Sequence, residues 1–207
     1  DDLPKYEEKI KGELQENIFR HIISFRENLT RQETTIKDKI KEINDSLYSI
    51  DYSRGRYIKL IQKRTQDKEI IDFRASLNNI TENSMDENNL AEEKFFEIKK
   101  IIDRFKGRVN ETERDKKWTS HVTDVRNWFH FSATEYWRDT DEEYEHYTDS
   151  GGKSGGQKEK LAYTILGASL AYNYGINEKE KSSFRLIIID EAFLKSSDES
   201  ATFGLEI

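Results

Sequence analysis

Apolar residues recur at steps of three or four along the first fifty positions, with charged residues between them. This period predicts one long helix of roughly 70 Å, which Asp1 or Asp2 can cap and Pro4 can start. The narrow apolar stripe favours a coiled-coil arm over residues 1–50, whose partner strand we expect upstream, and the alternative is a helix lying across a globular domain. The stripe consists of Leu3, Tyr6, Ile10, Leu14, Ile18, Ile22, Phe25, Leu29, Ile36, Ile40, Ile43, Leu47 and Ile50.

Residues 51–117 change to shorter elements, and we assign them to a helical region of their own. The polar stretch 51–56 contains Gly55 and ends the long helix, and residues 57–61 have the character of a short strand. Amphipathic patterns then predict helices over 67–80 and 90–105, separated by a polar loop. The first helix presents Ile70, Phe73, Leu77 and Ile80, and the second presents Leu90, Ile98, Ile101, Ile102 and Phe105.

A third segment, residues 118–207, begins with an aromatic hairpin. Trp118, Val122 and Val125 indicate a short helix, and the alternation from residue 128 to residue 134 predicts a strand. A second aromatic run at 144–147 completes a hairpin with an acidic tip around 139–143. Aromatic side chains on such a hairpin serve either as core or as a platform for stacking bases, and core is the favoured interpretation. One face of the first strand would carry Phe129, Phe131 and Ala133.

The loop at 150–157 reads Ser-Gly-Gly-Lys-Ser-Gly-Gly-Gln and precedes a helical pattern. Leu161, Ile165, Ala168 or Ser169, and Tyr172 share one face of that helix, and Gly175 lies where a C-cap is expected. Glycine lets a backbone approach a ligand closely, and a helix N-terminus attracts anions. The loop is therefore a candidate phosphate site.

About thirty residues later, an apolar run at 184–189 predicts a strand buried on both faces, and two acids follow it. Side chains alternate along a strand, so Asp190 and Glu191 point in different directions from the strand's carboxyl end. One acid can hold Mg²⁺ while the other faces an attacking water. The alternative is that the pair merely ends the strand and caps a following helix.

Gly152, Lys153 and Ser154 imitate the end of a Walker A phosphate loop, but that motif requires glycine where Tyr147 stands. The remaining sequence contains no other match. A nucleotide site without this loop is incomplete, so we expect the chain to be the C-terminal part of a larger protein. The isolated chain is then expected neither to bind nor to hydrolyse ATP.

The composition agrees with an extended protein that has a lean core. Of 207 residues, 36% are charged and 34% hydrophobic, and the net charge of −7 gives no support for an overall basic DNA-binding surface. The chain contains no cysteine, and its sequence shows no pattern of a signal peptide or a membrane span. We therefore expect a cytoplasmic protein that does not contact membranes.

The SGGQ sequence with a spaced IIIDE resembles the signature motif and Walker B strand of ABC-type ATPases. Lys153 replaces a common leucine, and the stretch from Asp190 to Asp198 is one residue longer than usual, as in the subfamily that the chain resembles. Residues 118–207 are similar to the C-terminal head segment of SbcC/MukB-like SMC ATPases, and most similar to the SMC-like subunit of bacterial Wadjet plasmid-defence systems. The segments that carry this resemblance are RNWFHFSATE and GGKSGGQKEKLAYTIL.

The resemblance implies an α/β fold: the C-terminal half of an ABC-type (P-loop NTPase) SMC head, preceded by a long coiled-coil helix. ATP and Mg²⁺ would be the cofactors, and the Walker A loop would come from the N-terminal half of the same protein. Asp190 would support Mg²⁺ and Glu191 would polarise the attacking water. The signature residues Lys153, Ser154, Gly155, Gly156 and Gln157 would contact the ATP of the opposite head, and Ser197 and Asp198 would form the D-loop.

The resemblance also implies partners: a second head in a homodimer, a kleisin, winged-helix accessory subunits, a possible nuclease subunit and double-stranded DNA in the nucleoid. Three functions follow from it. The chain belongs to a DNA-translocating, loop-extruding motor of the Wadjet type, to an SbcC-type ATPase that gates a nuclease, or to a scaffold with a decayed ATPase fold. The intact Glu191 argues against the scaffold.

Overall fold

A computed structural model describes residues 3–82, 90–147 and 155–174 and the single residues 202 and 204. It contains five helices and three strands among these residues, with a short 3₁₀ turn at Val125–Trp128. In chain order the elements are α1 Leu3–Ser49, β1 Arg56–Arg64, α2 Lys68–Glu82, α3 Leu90–Lys106, α4 Thr112–Thr123, β2 Phe129–Trp137, β3 Glu143–Tyr147 and α5 Gly155–Asn173.

The predicted long helix, first strand, two following helices and aromatic hairpin are confirmed in position. Of the residues that indicated a third helix, Trp118 and Val122 lie in α4, but Val125 lies in the 3₁₀ turn that follows it. Helices combined with a small sheet are compatible with the predicted α/β class. The apolar strand predicted at 184–189 lies outside the described residues. So does the polar loop predicted at 81–89, apart from its first two positions, which belong to the end of α2.

The chain separates into one unit of Asp1–Ile36 with Arg64–His130 and another of Lys37–Lys63 with Phe131–Ile207. The division into segments at 50 and 117 stays a prediction.

The first unit is a helical core built on the middle of α1. Ile22 and Leu29 are buried with the apolar faces of α2, α3 and α4, and Ile18, Phe25 and Ile36 pack against the same cluster. The apolar stripe of α1 is thus covered by the chain's own helices over this stretch, as expected for a helix that lies across a globular domain. Pairing of the arm with a coiled-coil partner stays a prediction.

Asp115 is a fully buried carboxylate at the start of α4. Its oxygens accept hydrogen bonds from Nη2 and Nε of Arg108, at 2.8 and 2.9 Å, and from the Arg108 backbone N–H, at 2.9 Å. Gly107 adopts a φ of +85° in the turn that brings Arg108 back over α4. The Arg108 guanidinium holds the pKa of Asp115 well below its usual range, chiefly through these side-chain hydrogen bonds.

The second unit contains the three-stranded sheet, in the order β1-β2-β3. Strands β2 and β3 are antiparallel, with Ala133 opposite Tyr147 and Glu135 opposite Glu145, and the register shifts after Glu135. The core comprises residues from α1, the following loop, all three strands and α5. Its buried members are Leu47, Tyr52, Ile58, Ala133, Tyr147 and Ala168.

The predicted core role of the face with Phe129, Phe131 and Ala133 is only partly correct. Phe129 and Ala133 are buried, but the Phe131 side chain is 44% exposed because it borders a cavity that is open to solvent. The preference for core over surface also fails at the hairpin tip, where Trp137 and Tyr144 are 37% and 51% exposed. None of the helices in the described ranges combines the length and apolar character needed to cross a bilayer.

The Asp115 contacts predict a specific pH dependence of stability. A carboxyl with a lowered folded-state pKa stabilises the fold above its unfolded pKa of about 4, and this contribution is lost as the pH falls. Asp115→Asn should therefore lower the urea midpoint at about pH 7, and the gap to the native chain should shrink to less than about half at pH 2. The exposed neighbour Glu113, changed to Gln, is the control and should show little gap at either pH. A gap for Asp115→Asn that stays constant with pH would contradict the assignment.

Candidate functional site

The predicted site residues divide between described and undescribed parts of the chain. Gly155, Gly156 and Gln157 form the first turn of α5. Outside the described residues lie Lys153, Ser154, Asp190, Glu191, Ser197 and Asp198. The functional roles of all nine stay predictions.

Helix α5 begins at Gly155, inside the second glycine pair of the predicted phosphate loop. The first N–H groups of a helix lack partners within the helix, and the helix dipole places partial positive charge at this end. A Cβ built on Gly155 would meet no atom within 4 Å, so the space beside this backbone is open. The open space beside Gly155 and the positive end of the helix are compatible with the predicted phosphate site, which stays a prediction.

Helix α5 is held in the second unit by the residues along its apolar face. Ala168 is buried in the core of the second unit and Leu161 packs against it, as the predicted apolar face requires. Thr164 is also fully buried, and its hydroxyl donates to the Lys160 carbonyl at 2.7 Å, so it carries no unpaired polar group into the core. At the far end, Tyr172 hydrogen-bonds Glu42 of α1, which raises the pKa of Tyr172.

A cavity of about 340 Å³ lies between the start of α5 and the sheet. The sheet contributes Leu60, Phe131, Ser132, Ala133 and Tyr147, and the helix contributes Gln157, Lys158, Leu161, Ala162 and Ile165. Gln157, the predicted signature glutamine, thus borders the same space as Tyr147, the last residue of β3. The opening turn of α5 and this end of the sheet therefore face the same cavity.

Beneath this cavity wall lies a buried charge that the sequence pattern did not predict. Glu135 of β2 is 3% exposed. Its Oε1 is 3.0 Å from Nε of Arg56, and its Oε2 accepts a hydrogen bond of 2.5 Å from the Tyr147 hydroxyl. The sequence did contain one signal for this buried charge, namely a glutamate within an aromatic strand. Glu135 lies two positions after Ala133, which is the register partner of Tyr147. To infer the contact between Glu135 and Tyr147 from this signal, one must know the hairpin register, and the alternation of apolar and polar residues does not give the register.

Tyr52 links this buried pair to α5. Its ring lies 5.0 Å from Nζ of Lys160, and its hydroxyl hydrogen-bonds Tyr147. Burial, with a further contribution from the charge of Glu135, raises the pKa of Tyr52 to about 12. Burial and the Glu135 hydrogen bond also raise the pKa of Tyr147. Both phenols therefore stay protonated at neutral pH, and the Tyr147 hydroxyl donates its hydrogen bond to Glu135.

Aromatic rings shield the solvent side of the charge pair. The Arg56 guanidinium lies over the ring of Tyr144, 3.8 Å from its centroid, and 5.0 Å from that of Trp137. The two rings meet edge to face. Their partial exposure is thus compatible with a covering role, because each ring presents one side to Arg56 and the other to solvent.

Residues 120–207 match the protein family described as "SbcC/RAD50-like, Walker B motif". No curated protein matches the chain. The matched region contains the hairpin, the start of α5 and the acidic pair at 190 and 191, and it indicates an ATPase of the SMC/SbcC type. A Walker B motif implies that proteins of this family depend on a nucleotide and Mg²⁺. The match does not distinguish the Wadjet subfamily from other members.

The open space beside Gly155 predicts that its substitution by alanine leaves the fold intact. Gly155→Ala should change the free energy of unfolding by less than about 1 kcal/mol. Gly107→Ala is the matched comparison, since Gly107 has φ +85° and its added methyl would lie 2.9 Å from Thr112 Cγ2. It should cost more than about 1 kcal/mol. Urea titration of both variants checks the contrast, and equal losses would contradict the geometry of the opening turn.

Proposed function

We propose that this chain supplies the C-terminal lobe of an SMC-like ATPase head, which hydrolyses ATP between two engaged heads. The main support is the family match over residues 120–207, which covers both the glycine pair that opens α5 and the acidic pair after the apolar run. The N-terminal half of the same protein would bring the Walker A loop. Two completed heads would then form the homodimer in which ATP is enclosed.

Each predicted residue has a distinct task in this proposal. Gly155, Gly156 and Gln157, at the positive end of α5, bind the γ-phosphate presented by the opposite head together with Ser154, which precedes them in the sequence. Lys153 precedes this turn and adds positive charge. Bound ATP supplies the phosphoryl group that is transferred to water.

The acidic pair and the D-loop act beside the phosphate. Asp190 holds the Mg²⁺ ion at its own head, and Glu191 orients the attacking water and accepts its proton. Ser197 and Asp198 form the turn that connects the two nucleotide sites across the dimer. These assignments rest on the motif spacing in the sequence and on the resemblance to ABC-type heads.

We further propose that the head drives DNA translocation or loop extrusion in a Wadjet-type plasmid-defence complex. The support is the sequence of the hairpin strand and of the signature helix, quoted above as carrying the resemblance. The partners would be a kleisin, winged-helix subunits, a nuclease subunit and double-stranded DNA in the nucleoid. The second candidate is an SbcC-type ATPase that gates a nuclease, and the match to SbcC/RAD50-like proteins does not distinguish the two candidates.

Gene neighbourhood separates these two functions. Genes for a kleisin, a small winged-helix protein and a topoisomerase-like nuclease beside this gene support the Wadjet function. An adjacent metallophosphatase nuclease supports the SbcC function instead.

The trans role of the signature turn predicts the behaviour of Ser154→Arg in the full-length protein. The larger side chain fills the space for the opposite head's γ-phosphate, so ATP-dependent head dimerisation should fall by about tenfold or more, while ATP binding by separate heads stays within about twofold. Ser120→Arg, on the exposed surface of α4, is the matched control. Site-specific crosslinking of heads measures engagement, and undiminished dimerisation would refute the signature assignment.

Substitution of the two adjacent acids should affect ATP binding, head closure and hydrolysis differently. Glu191→Gln keeps the size of the side chain but removes the proton acceptor, so ATP should bind, heads should close and hydrolysis should fall by roughly 10²- to 10⁴-fold. Asp190→Asn weakens the Mg²⁺ site, so nucleotide binding and closure should fall together with hydrolysis. Crosslinked head dimer should accumulate only for Glu191→Gln. Equal amounts of dimer in the two variants would show that the roles are assigned wrongly.

A further inference from the structure

We propose that Glu135 and Tyr147 are positioning residues for the signature turn: their buried hydrogen bond holds the surface on which the start of α5 packs. This inference rests on the proposed function of Gly155–Gln157. Neither residue belongs to a recognised ATPase motif, and neither is expected to touch nucleotide. Their effect would pass through the packing between the sheet and α5.

The first step is the burial of the Glu135 carboxylate. A charged carboxylate removed from water is costly unless hydrogen bonds and an opposite charge replace its hydration. Glu135 is 3% exposed; its Oε2 accepts a hydrogen bond of 2.5 Å from the Tyr147 hydroxyl, and its Oε1 makes no hydrogen bond within the described residues but lies 3.0 Å from Nε of Arg56 in an ion pair. Loss of either partner leaves part of a buried charge unmatched, so the three side chains form one unit.

The second step concerns the neighbouring charge on β3. Glu145 lies directly opposite Glu135 in the antiparallel register, an arrangement that is unfavourable for like charges. The Tyr147 hydroxyl lies 3.2 Å from Oε2 of Glu145 as well as 2.5 Å from Glu135. Its proton is donated mainly to Glu135, with a longer second contact to Glu145, and together with Arg56 it offsets the repulsion between the two carboxylates. This arrangement fixes the position of Tyr147 more tightly than apolar packing would.

The third step connects Tyr147 to the start of α5. Tyr147 and Ala133 form the sheet side of the cavity whose helix side includes Gln157, Lys158 and Leu161. Tyr52 hydrogen-bonds Tyr147 and lies under the Lys160 ammonium group. The second turn of α5 thus contacts this group of side chains through Lys160 and Leu161, and the first turn faces Tyr147 across the cavity.

These contacts predict a selective defect for Tyr147→Phe in the full-length protein. The phenylalanine ring fills the same volume but gives Glu135 no proton, so the surface below α5 loses its directional contact while its apolar packing remains. A small displacement of a reacting group can cost up to 10²-fold in rate. We expect kcat for ATP hydrolysis and crosslinked head dimer to fall about 10- to 100-fold, with the KM for ATP and nucleotide binding by separate heads within about twofold.

Tyr144→Phe is the matched control, because Tyr144 lies on the same strand but is 51% exposed. It should behave like the native protein. Glu135→Gln supplies an independent second variant, since glutamine still accepts the Tyr147 hydrogen bond while its charge is lost. The double variant Glu135→Gln/Tyr147→Phe should be no worse than the more damaged single variant, because both changes act on the same contact between these two side chains.

Unchanged kcat and head dimer in both Tyr147→Phe and Glu135→Gln would overturn the inference. So would a loss of nucleotide binding that parallels the loss of turnover, because that pattern indicates general unfolding. Ser154→Arg, measured in the same assay, tests the proposed function separately. If Ser154→Arg blocks engagement and Tyr147→Phe does not, only the positioning inference fails; if Ser154→Arg has no effect, the proposed function itself fails.

Discussion

The buried carboxylate of Glu135 is the constraint on which the second unit of this protein depends. A charge this far from solvent must find partners within the fold, and Arg56 of β1 and Tyr147 of β3 reach it from the strands on either side of β2. The carboxylate therefore ties all three strands together at one point. Helix α5 packs on the same core through Leu161 and Ala168, so the sheet also supports this helix.

The first unit uses the same principle in a different setting. Asp115 is buried where α3 turns into α4, and Arg108 surrounds it with three hydrogen bonds. Apolar packing of α1 against α2, α3 and α4 supplies the bulk of this core. Non-directional burial brings the helices together, and the charged contact determines how α3 and α4 are joined.

The functional conclusion joins a structural observation to a family match. A glycine pair opens a helix of 19 residues with free space beside its first residue, and the surrounding region matches SbcC/RAD50-like proteins. In the proposed head, this end of α5 acts on a phosphate bound to another subunit. Such a role demands accurate placement of the backbone more than chemical reactivity, which explains why residues below the helix can matter as much as the motif itself.

The sequence by itself determined the elements whose signals are local. The three-to-four period predicted α1 to α4, alternation predicted the hairpin, and the glycine pair marked the start of α5, because each pattern reflects short-range backbone geometry. Only the tertiary structure decided that the stripe of α1 from Ile18 to Ile36 is covered by its own chain, that Phe131 borders an open cavity, and that Glu135 meets Tyr147 and Arg56. These outcomes depend on strand register and on contacts between residues far apart in sequence, and periodicity carries no information about either.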